Sequence, residues 1–256
     1  MKTFPLARVI LVLTDNPLYA DFWPYVANIW KNKFGVIPTL FFYGNGWEKY
    51  NLDVHGEVYH LPFVPEVSIN PARDWACTWG LFYGASKFEN DICITCGIDQ
   101  APLSDYFFKT ISHYDFNKDY VVGLSDARPD WFFSSHHVAK GKIYKQALQI
   151  DNSWEIEVKK VFAARNNYSQ IYMGGDYWGL DELHSTFLLK SSPHLKRHTG
   201  VYHQYLLPNR IDRGYQPTYD INRLKAGGYS ELHAPRPFKD YKEYLQTISD
   251  NIPSYL

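Results

Sequence analysis

The sequence predicts an α/β protein with a mixed, mostly parallel central sheet flanked by helices. Two short, nearly continuous apolar segments, residues 8–14 and 37–43, are typical of strands covered on both faces. Between them, apolar residues recur every three or four positions, which indicates an amphipathic helix. The strand–helix–strand order, with about twenty residues between the strands, is that of a βαβ unit, in which the two strands are parallel.

The remaining elements continue this alternation. The first helix follows the break at Asp15-Asn16-Pro17 and ends at Phe34-Gly35. Further strands are expected at residues 58–63, 91–95 and 119–124, and further helices at residues 72–88, 134–150, 153–164, 179–189 and 240–249. No repeat, low-complexity tract or long linker interrupts the sequence, so we expect residues 1–256 to form one domain.

Composition and charge disfavour several functional classes. The chain has 26 basic and 27 acidic side chains, whereas a protein that binds nucleic acid usually has a strong positive excess. The longest apolar run, residues 9–13, is too short to cross a bilayer, and no small-residue cleavage site follows it. Three sparse cysteines are typical of a reducing compartment rather than a disulfide scaffold. We therefore expect a cytoplasmic protein without a membrane span.

The aromatic content is high, with 21 Tyr, 16 Phe and 8 Trp. Aromatic rings pack in cores and also stack on sugars and bases. Core packing explains most of these residues, so the composition by itself only suggests a sugar ligand.

Polar residues follow two predicted strands at their carboxyl ends, where ligands bind in open α/β sheets. They are Thr14, Asp15 and Asn16 after the first strand, and Asp99, the last residue of the triplet Gly97-Ile98-Asp99, after the fourth. A carboxylate next to a glycine that lets a ligand approach the backbone suits a metal–phosphate site. The competing interpretation of Asp99 is a turn residue before a proline.

Two later segments carry further candidate groups. Residues 227–237 form a segment rich in glycine and proline that contains His233 and Arg236. A single loop histidine is more often an ordinary hydrogen-bonding residue. In the other segment, Asp181 and Glu182 follow Trp178 at the start of a predicted helix, where adjacent carboxylates usually act as capping groups.

In this order, the four segments resemble the nucleotide-diphospho-sugar glycosyltransferases of the GT-A fold, over roughly residues 8–245. Such enzymes carry an Asp-x-Asp motif followed by a proline. The matching triplet here is Gly97-Ile98-Asp99, so the second carboxylate is present and the first is a glycine. The resemblance implies a GT-A-like (Rossmann-like) fold. It also implies hexosyl transfer from a nucleotide-sugar donor, with a UDP-sugar expected, to a glycan or small-molecule acceptor.

The resemblance further implies roles for individual residues. Asp99 and His233 would bind Mn²⁺ or Mg²⁺, and the histidine favours Mn²⁺. This cation would offset the charge on the departing diphosphate. Asp181 or Glu182 would accept the proton of the acceptor hydroxyl, and Trp178 would stack on the acceptor sugar. The donor-binding residues implied are Thr14, Asp15, Asn16, Arg73, Asp74, Gly97, Ile98 and Arg236.

The missing first carboxylate leaves more than one outcome open. It predicts weaker metal binding or a changed ribose contact. It is also compatible with a metal-independent site in which Arg236 or a lysine supplies the positive charge. A further alternative is a non-catalytic module of the same fold that binds a sugar nucleotide or a glycan.

Two other functions are weighed against these. A metal hydrolase would use His136 and His137 with Asp126 and Asp130, but adjacent histidines point to different sides, and no familiar zinc-ligand spacing is present. A nucleic-acid acceptor is disfavoured by the near-neutral charge. A nucleic-acid acceptor remains an alternative because the chain has a local basic cluster. This cluster consists of residues 190–197 with Arg210, Arg213 and Arg223.

Overall fold

The computed structural model describes residues 5–45, 47–68, 74–124, 126–128, 131–168, 177–197, 209–214 and 218–256. Its strands are β1 (Arg8–Leu13), β2 (Ile37–Tyr43), β3 (Glu57–Leu61), β4 (Ile92–Thr95), β5 (Gln100–Pro102), β6 (Val121–Gly123), β7 (Asp126–Arg128), β8 (Trp131–Phe132), β9 (His137–Lys140), β10 (Leu195–Arg197) and β11 (Glu231–His233). Its helices are α1 (Phe22–Phe34), α2 (Trp75–Ser86), α3 (Tyr106–Ile111), α4 (Gly141–Ala147), α5 (Trp154–Ala163), α6 (Leu180–Ser191), α7 (Ile221–Lys225) and α8 (Lys242–Asn251).

The central sheet has seven strands in the order β10-β6-β9-β4-β1-β2-β3. Strands β3, β2, β1 and β4 pair in parallel, as do β6 and β10, while β9 is antiparallel to both of its neighbours. The predicted mixed and mostly parallel sheet is therefore confirmed. Two small antiparallel pairs, β5 with β11 and β7 with β8, lie outside this sheet.

Helices cover both faces of the sheet, and this explains the continuous apolar run of β1. Val9 and Leu11 belong to a buried cluster with residues of α1, α3 and α8. Ile10 and Val12 belong to a second cluster with residues of α2, α4, α5 and α6. Because successive side chains of a strand point to opposite faces, β1 contributes to both clusters and has no polar face.

Much of the aromatic excess is used in these clusters. Of the eight tryptophans, Trp23, Trp30, Trp75 and Trp79 are fully buried. All three cysteines are buried and free. No helix in the described ranges is both long and apolar enough to cross a membrane.

The prediction of one helix over residues 134–150 is wrong. The chain forms β9 in the middle of the sheet and then turns into the short helix α4. Val138 and Ala139 are both fully buried because β9 is covered on both faces, so their burial has no helical period. Gly141 permits the tight junction, since a Cβ there would lie 2.2 Å from the carbonyl oxygen of Phe88.

The C-terminal part of the chain is attached directly beside the end of β4. Strand β11 pairs with β5, so that His233 lies opposite Gln100. The backbone N–H of Ala234 donates to the carbonyl of Asp99 at 2.8 Å. This pairing brings residues more than 130 positions apart in the sequence into one site.

Candidate functional site

The strand order creates a crevice at the carboxyl ends of β1 and β4. From β1 the chain proceeds outward through β2 and β3, and then β4 is added on the other side of β1. Ligands of open α/β sheets bind at such a reversal of strand order. A cavity of about 680 Å³ opens there, and residues following both strands line it.

Most of the sequence-predicted site residues meet in this cavity. Those that line it are Thr14, Asn16, Asp74, Gly97, Ile98, Asp99, Glu182, His233 and Arg236. Asp15 is exposed and lines a smaller adjoining cavity of about 180 Å³. Asp181 is buried and hydrogen-bonded to the hydroxyl of Ser134, which itself lines the main cavity. Arg73 lies outside the described residues.

Asp99 is surrounded by positively charged or imidazole groups. Its Oδ2 lies 3.2 Å from Nη1 of Arg213, 3.4 Å from Nε2 of His233 and 3.6 Å from Nε of Arg236. Burial acts to raise the pKa of Asp99, but the hydrogen bond and charge of His233 and the charge of Arg213 outweigh it, so that the pKa is lowered. Asp99 is therefore an ionised carboxylate at neutral pH.

His233 and Asp99 have a geometry that fits one divalent cation. Nδ1 of His233 donates to Oδ1 of Asp212 at 2.9 Å, which turns Nε2 towards Asp99. Metal-binding histidines commonly give their other nitrogen to a carboxylate in this way. Two ligand atoms at right angles on an octahedral ion, each at about 2.1 Å, lie about 3 Å apart, close to the observed 3.4 Å.

The space beside Gly97 is filled by the side chain of Gln100. Gly97 donates its backbone N–H to Oε1 of Gln100 at 2.8 Å. A Cβ on Gly97 would lie 2.7 Å from that same oxygen. The glycine and the glutamine thus form a local unit, and a side chain at position 97 would displace the amide.

A buried ion-pair network that the sequence analysis did not predict contributes residues to the same cavity as Asp99. Glu231 is fully buried, is hydrogen-bonded to Nε2 of His136, and has Nε of Arg210 3.0 Å from its Oε2. Burial acts to raise the pKa of Glu231, whereas His136 and Arg210 lower it further than burial raises it. Arg210, Arg213 and His136 line the cavity. Arg210 and Arg213, which the sequence analysis assigned to a local basic cluster, thus line the cavity.

The alternation of β11 accounts for part of this network once the strand itself is known. Glu231 and His233 are two residues apart on one strand, so their side chains point to the same face. Their partners Arg210 and Asp212 come from a segment that bridges to β11 at Ile211. That pairing is tertiary and has no local signature in the sequence.

A pair of carboxyl groups lies at the start of α6. The helix follows Gly179, whose φ of 92° is in the left-handed region that favours glycine. Glu182 lines the cavity and accepts from Nε1 of Trp131 at 2.7 Å. Burial raises the pKa of both Asp181 and Glu182, and the charge of Asp181 raises that of Glu182 further. Trp178, 46% exposed, lines the same cavity.

Two predicted donor-binding residues also accept hydrogen bonds from nearby backbone N–H groups. Asp74 caps α2 by accepting from the N–H of Ala76 at 2.9 Å, and it also accepts from the hydroxyl of Ser68. Burial raises the pKa of Asp74. Thr14 accepts from the N–H of Asn16 at 3.2 Å and so shapes the turn after β1.

The histidines of the hydrolase alternative do not converge. His136 lines the cavity, whereas the ring of His137 packs against Phe82, with ring centroids 5.6 Å apart. Asp126 lies in β7, and its side chain and Asp130 are outside the described parts of the chain. The two histidines therefore do not form one metal site.

Comparison with protein-family models and with curated proteins finds no match. Among solved structures, the chain is similar to an active-site mutant of LgtC, with a TM-score of 0.50, 12% identity and coverage of 74% of this chain and 72% of that one. It is also similar to the glycosyltransferase GlyE of Streptococcus pneumoniae TIGR4, with a TM-score of 0.50, 10% identity and coverage of 98% of this chain and 66% of that one. The chain has a GT-A-like fold. The fold predicted from the sequence is thereby confirmed, and at these identities the similarity concerns the fold alone.

Proposed function

We propose that the protein transfers a hexose from a nucleotide-sugar donor, with a UDP-sugar expected, to a hydroxyl of a glycan or small-molecule acceptor. The observation that carries the proposal is one cavity with two unlike parts. A group of arginine and histidine side chains surrounds Asp99, and a carboxyl of raised pKa, Glu182, lines the same space. The GT-A-like fold, shared with the glycosyltransferase GlyE, supports this proposal.

The arginine-rich part suits a diphosphate. Guanidinium groups give paired, planar donors that match phosphate oxygens. Their charges are already matched in number by carboxylates, the two sets being Arg210, Arg213 and Arg236 against Asp99, Asp212 and Glu231. A diphosphate would therefore add negative charge that these pairs do not neutralise, and this favours a cation that binds with it.

We propose that Asp99 and His233 hold this cation, Mn²⁺ or Mg²⁺, through Oδ2 and Nε2. When bound, it would offset the negative charge of the departing diphosphate. Asp212 would keep the ring of His233 in the orientation for binding, through the 2.9 Å hydrogen bond to Nδ1.

The carboxyl of Glu182 would act on the acceptor. In a displacement with inversion, the acceptor hydroxyl attacks the anomeric carbon and its proton passes to Glu182. The bond from that carbon to the diphosphate oxygen breaks, and its electron pair leaves with the diphosphate. Trp131 would position the carboxyl through its 2.7 Å hydrogen bond, and Trp178 would stack on the acceptor sugar.

The deciding experiment is calorimetric titration of UDP and of GDP into metal-free protein, with and without Mn²⁺. We expect binding that needs Mn²⁺ and prefers one base. Equal binding with and without Mn²⁺ would reject the proposed cation and would indicate that the arginines alone bind the diphosphate. Failure of both nucleotides to bind under either condition would reject the donor class.

Gly97 supports a second candidate, a binding module without turnover. The amide of Gln100 occupies the space that a first carboxylate would need. In that case a nucleotide sugar would bind, but neither its hydrolysis nor transfer would be detected across a panel of donors and acceptors. Product formation with any donor would exclude this candidate.

A further inference from the structure

We propose that Arg213 is a donor-binding residue that is paired with Asp99 until a divalent cation binds that carboxylate. The guanidinium group of Arg213 then binds the diphosphate of the donor. This rests on the proposed function for the identity of the donor. The competition between Arg213 and the cation for Asp99 does not depend on the donor, and it is testable with the cation alone.

The first argument is the crowding at one oxygen. Nη1 of Arg213 donates to Oδ2 of Asp99 at 3.2 Å, and this is the oxygen that faces Nε2 of His233 at 3.4 Å. A cation bound between Asp99 and His233 would share this oxygen with a guanidinium group. Two cationic groups at such a distance repel each other, although solvent screens part of this repulsion because Arg213 is partly exposed. Cation binding and the Arg213–Asp99 pair therefore oppose each other.

The second argument is that Arg213 is the least restrained of the three arginines. Its side chain is 39% exposed, against 25% for Arg236 and 8% for Arg210. Arg236 lies over the ring of Tyr19 at 4.8 Å, and Arg210 is held by the buried Glu231. Arg213 is followed by Gly214, and apart from its chain neighbours no described residue has an atom within 4 Å of the position of a Cβ on that glycine.

The third argument is where the released guanidinium would lie. Arg213 and the segment Gly97–Asp99 line the same cavity. A diphosphate bound to a cation at Asp99 would have its oxygens next to the place that the guanidinium had occupied. Because the planar donors of arginine match phosphate oxygens, the released group has a partner at short range. Arg213 would thus couple the binding of the cation to the binding of the nucleotide.

The test is the variant Arg213→Gln, studied by calorimetry with Mn²⁺ alone, with UDP alone and with UDP in the presence of Mn²⁺. Removing the competitor should tighten the binding of Mn²⁺ alone by about two- to fivefold, the range for a partly exposed ion pair. Losing a charged hydrogen bond to phosphate should weaken UDP binding in the presence of Mn²⁺ by about tenfold. The factor by which Mn²⁺ raises UDP affinity should be smaller in the variant than in the wild type.

The matched control is Arg223→Gln, which removes the same charge from an exposed residue of α7 outside the cavity lining. It should leave all three affinities unchanged. If Arg213→Gln weakened UDP binding by the same factor with and without Mn²⁺, the arginine would act only as a general charge. That result would overturn the proposal.

The Mn²⁺ titration separates this proposal from the proposed function. Wild-type protein that binds neither UDP nor GDP would reject the donor, while tighter Mn²⁺ binding by Arg213→Gln would still support the competition for Asp99. Unchanged Mn²⁺ affinity in the variant, or no Mn²⁺ binding by either protein, would overturn the competition even if nucleotides bind.

Discussion

Glu182 and Asp181 are neighbours in the sequence but occupy different environments. Glu182 lines the cavity, and Asp181 lies buried against Ser134 and is 2% exposed. The sequence identified the pair, since adjacent acids open a predicted helix. It did not distinguish the two roles, because which side of α6 meets the cavity depends on how that helix packs against α2.

Replacing Glu182 by Gln should abolish proton transfer without disturbing the site. In the wild type, Nε1 of Trp131 donates a hydrogen bond to the carboxylate at 2.7 Å. A glutamine can still accept this hydrogen bond, but it cannot take a proton from the acceptor hydroxyl. We expect the rate of transfer to fall about 100-fold or more, with unchanged UDP affinity in the presence of Mn²⁺. The control is Glu243→Gln on the exposed side of α8. A transfer rate of Glu182→Gln equal to that of the control would reject the role.

The raised pKa of Glu182 also predicts a pH-dependent stability. In the folded protein, burial and the charge of Asp181 raise this pKa above the ordinary value of 4.5. Protonation of Glu182 therefore stabilises the folded protein, and this contribution to stability is complete below about pH 4.5. It is lost as the pH rises through the raised pKa of the folded state. The Tm of Glu182→Gln minus that of the wild type should therefore increase with pH above 4.5 and then level off. A difference that is constant with pH, measured by thermal unfolding, would contradict the raised pKa.

At the scale of elements, the strands that could be predicted from the sequence are the longer ones that are buried on both faces. Strands β1, β2 and β4 were predicted because each is a continuous apolar segment between two layers of helices. Strands β5 and β11 have three residues each, too few to show a period, although they hold His233 beside Asp99. The polar residues after β1 and β4 were predictable because strand ends place them, whereas Arg210 and Asp212 depend on pairing across the chain.

The junction of β9 and α4 should not tolerate a larger residue at position 141. A Cβ on Gly141 would lie 2.2 Å from the carbonyl oxygen of Phe88 and 2.6 Å from that of Ala85. Ala85 lies in the last turn of α2, and Phe88 follows that helix. We expect Gly141→Ala to lower the free energy of unfolding by about 1–3 kcal/mol, as overpacking does. Gly214→Ala is the control, because among the described residues, apart from its chain neighbours, its Cβ would meet no atom within 4 Å. Equal stability of both variants in urea denaturation would contradict this close contact.

At the scale of the whole molecule, the two buried clusters share the central sheet. Strand β1 contributes alternate residues to both, and the C-terminal helix α8 belongs to the same cluster as α1. The hydroxyl of Tyr25 in α1 donates to the carbonyl of Leu245 in α8 at 3.0 Å. Because the first and last helices, α1 and α8, are packed together in this way, we expect residues 1–256 to unfold as one unit.

A matched pair of leucine variants tests this single-domain prediction. Leu232 in β11 and Leu189 in α6 are both fully buried but lie in different clusters. Each change to Ala should cost about 2–5 kcal/mol and move one common transition, followed by fluorescence and by far-ultraviolet circular dichroism, to lower denaturant concentration. Leu18→Ala, at a position 47% exposed, should leave the transition in place. Two separable transitions, with each variant moving only one, would show that the clusters fold independently. The cavity would then lie between two domains, because the segments around Asp99 and His233 belong to the first cluster and the segment around Glu182 belongs to the second. Glu182 would approach Asp99 and His233 only when both domains are folded.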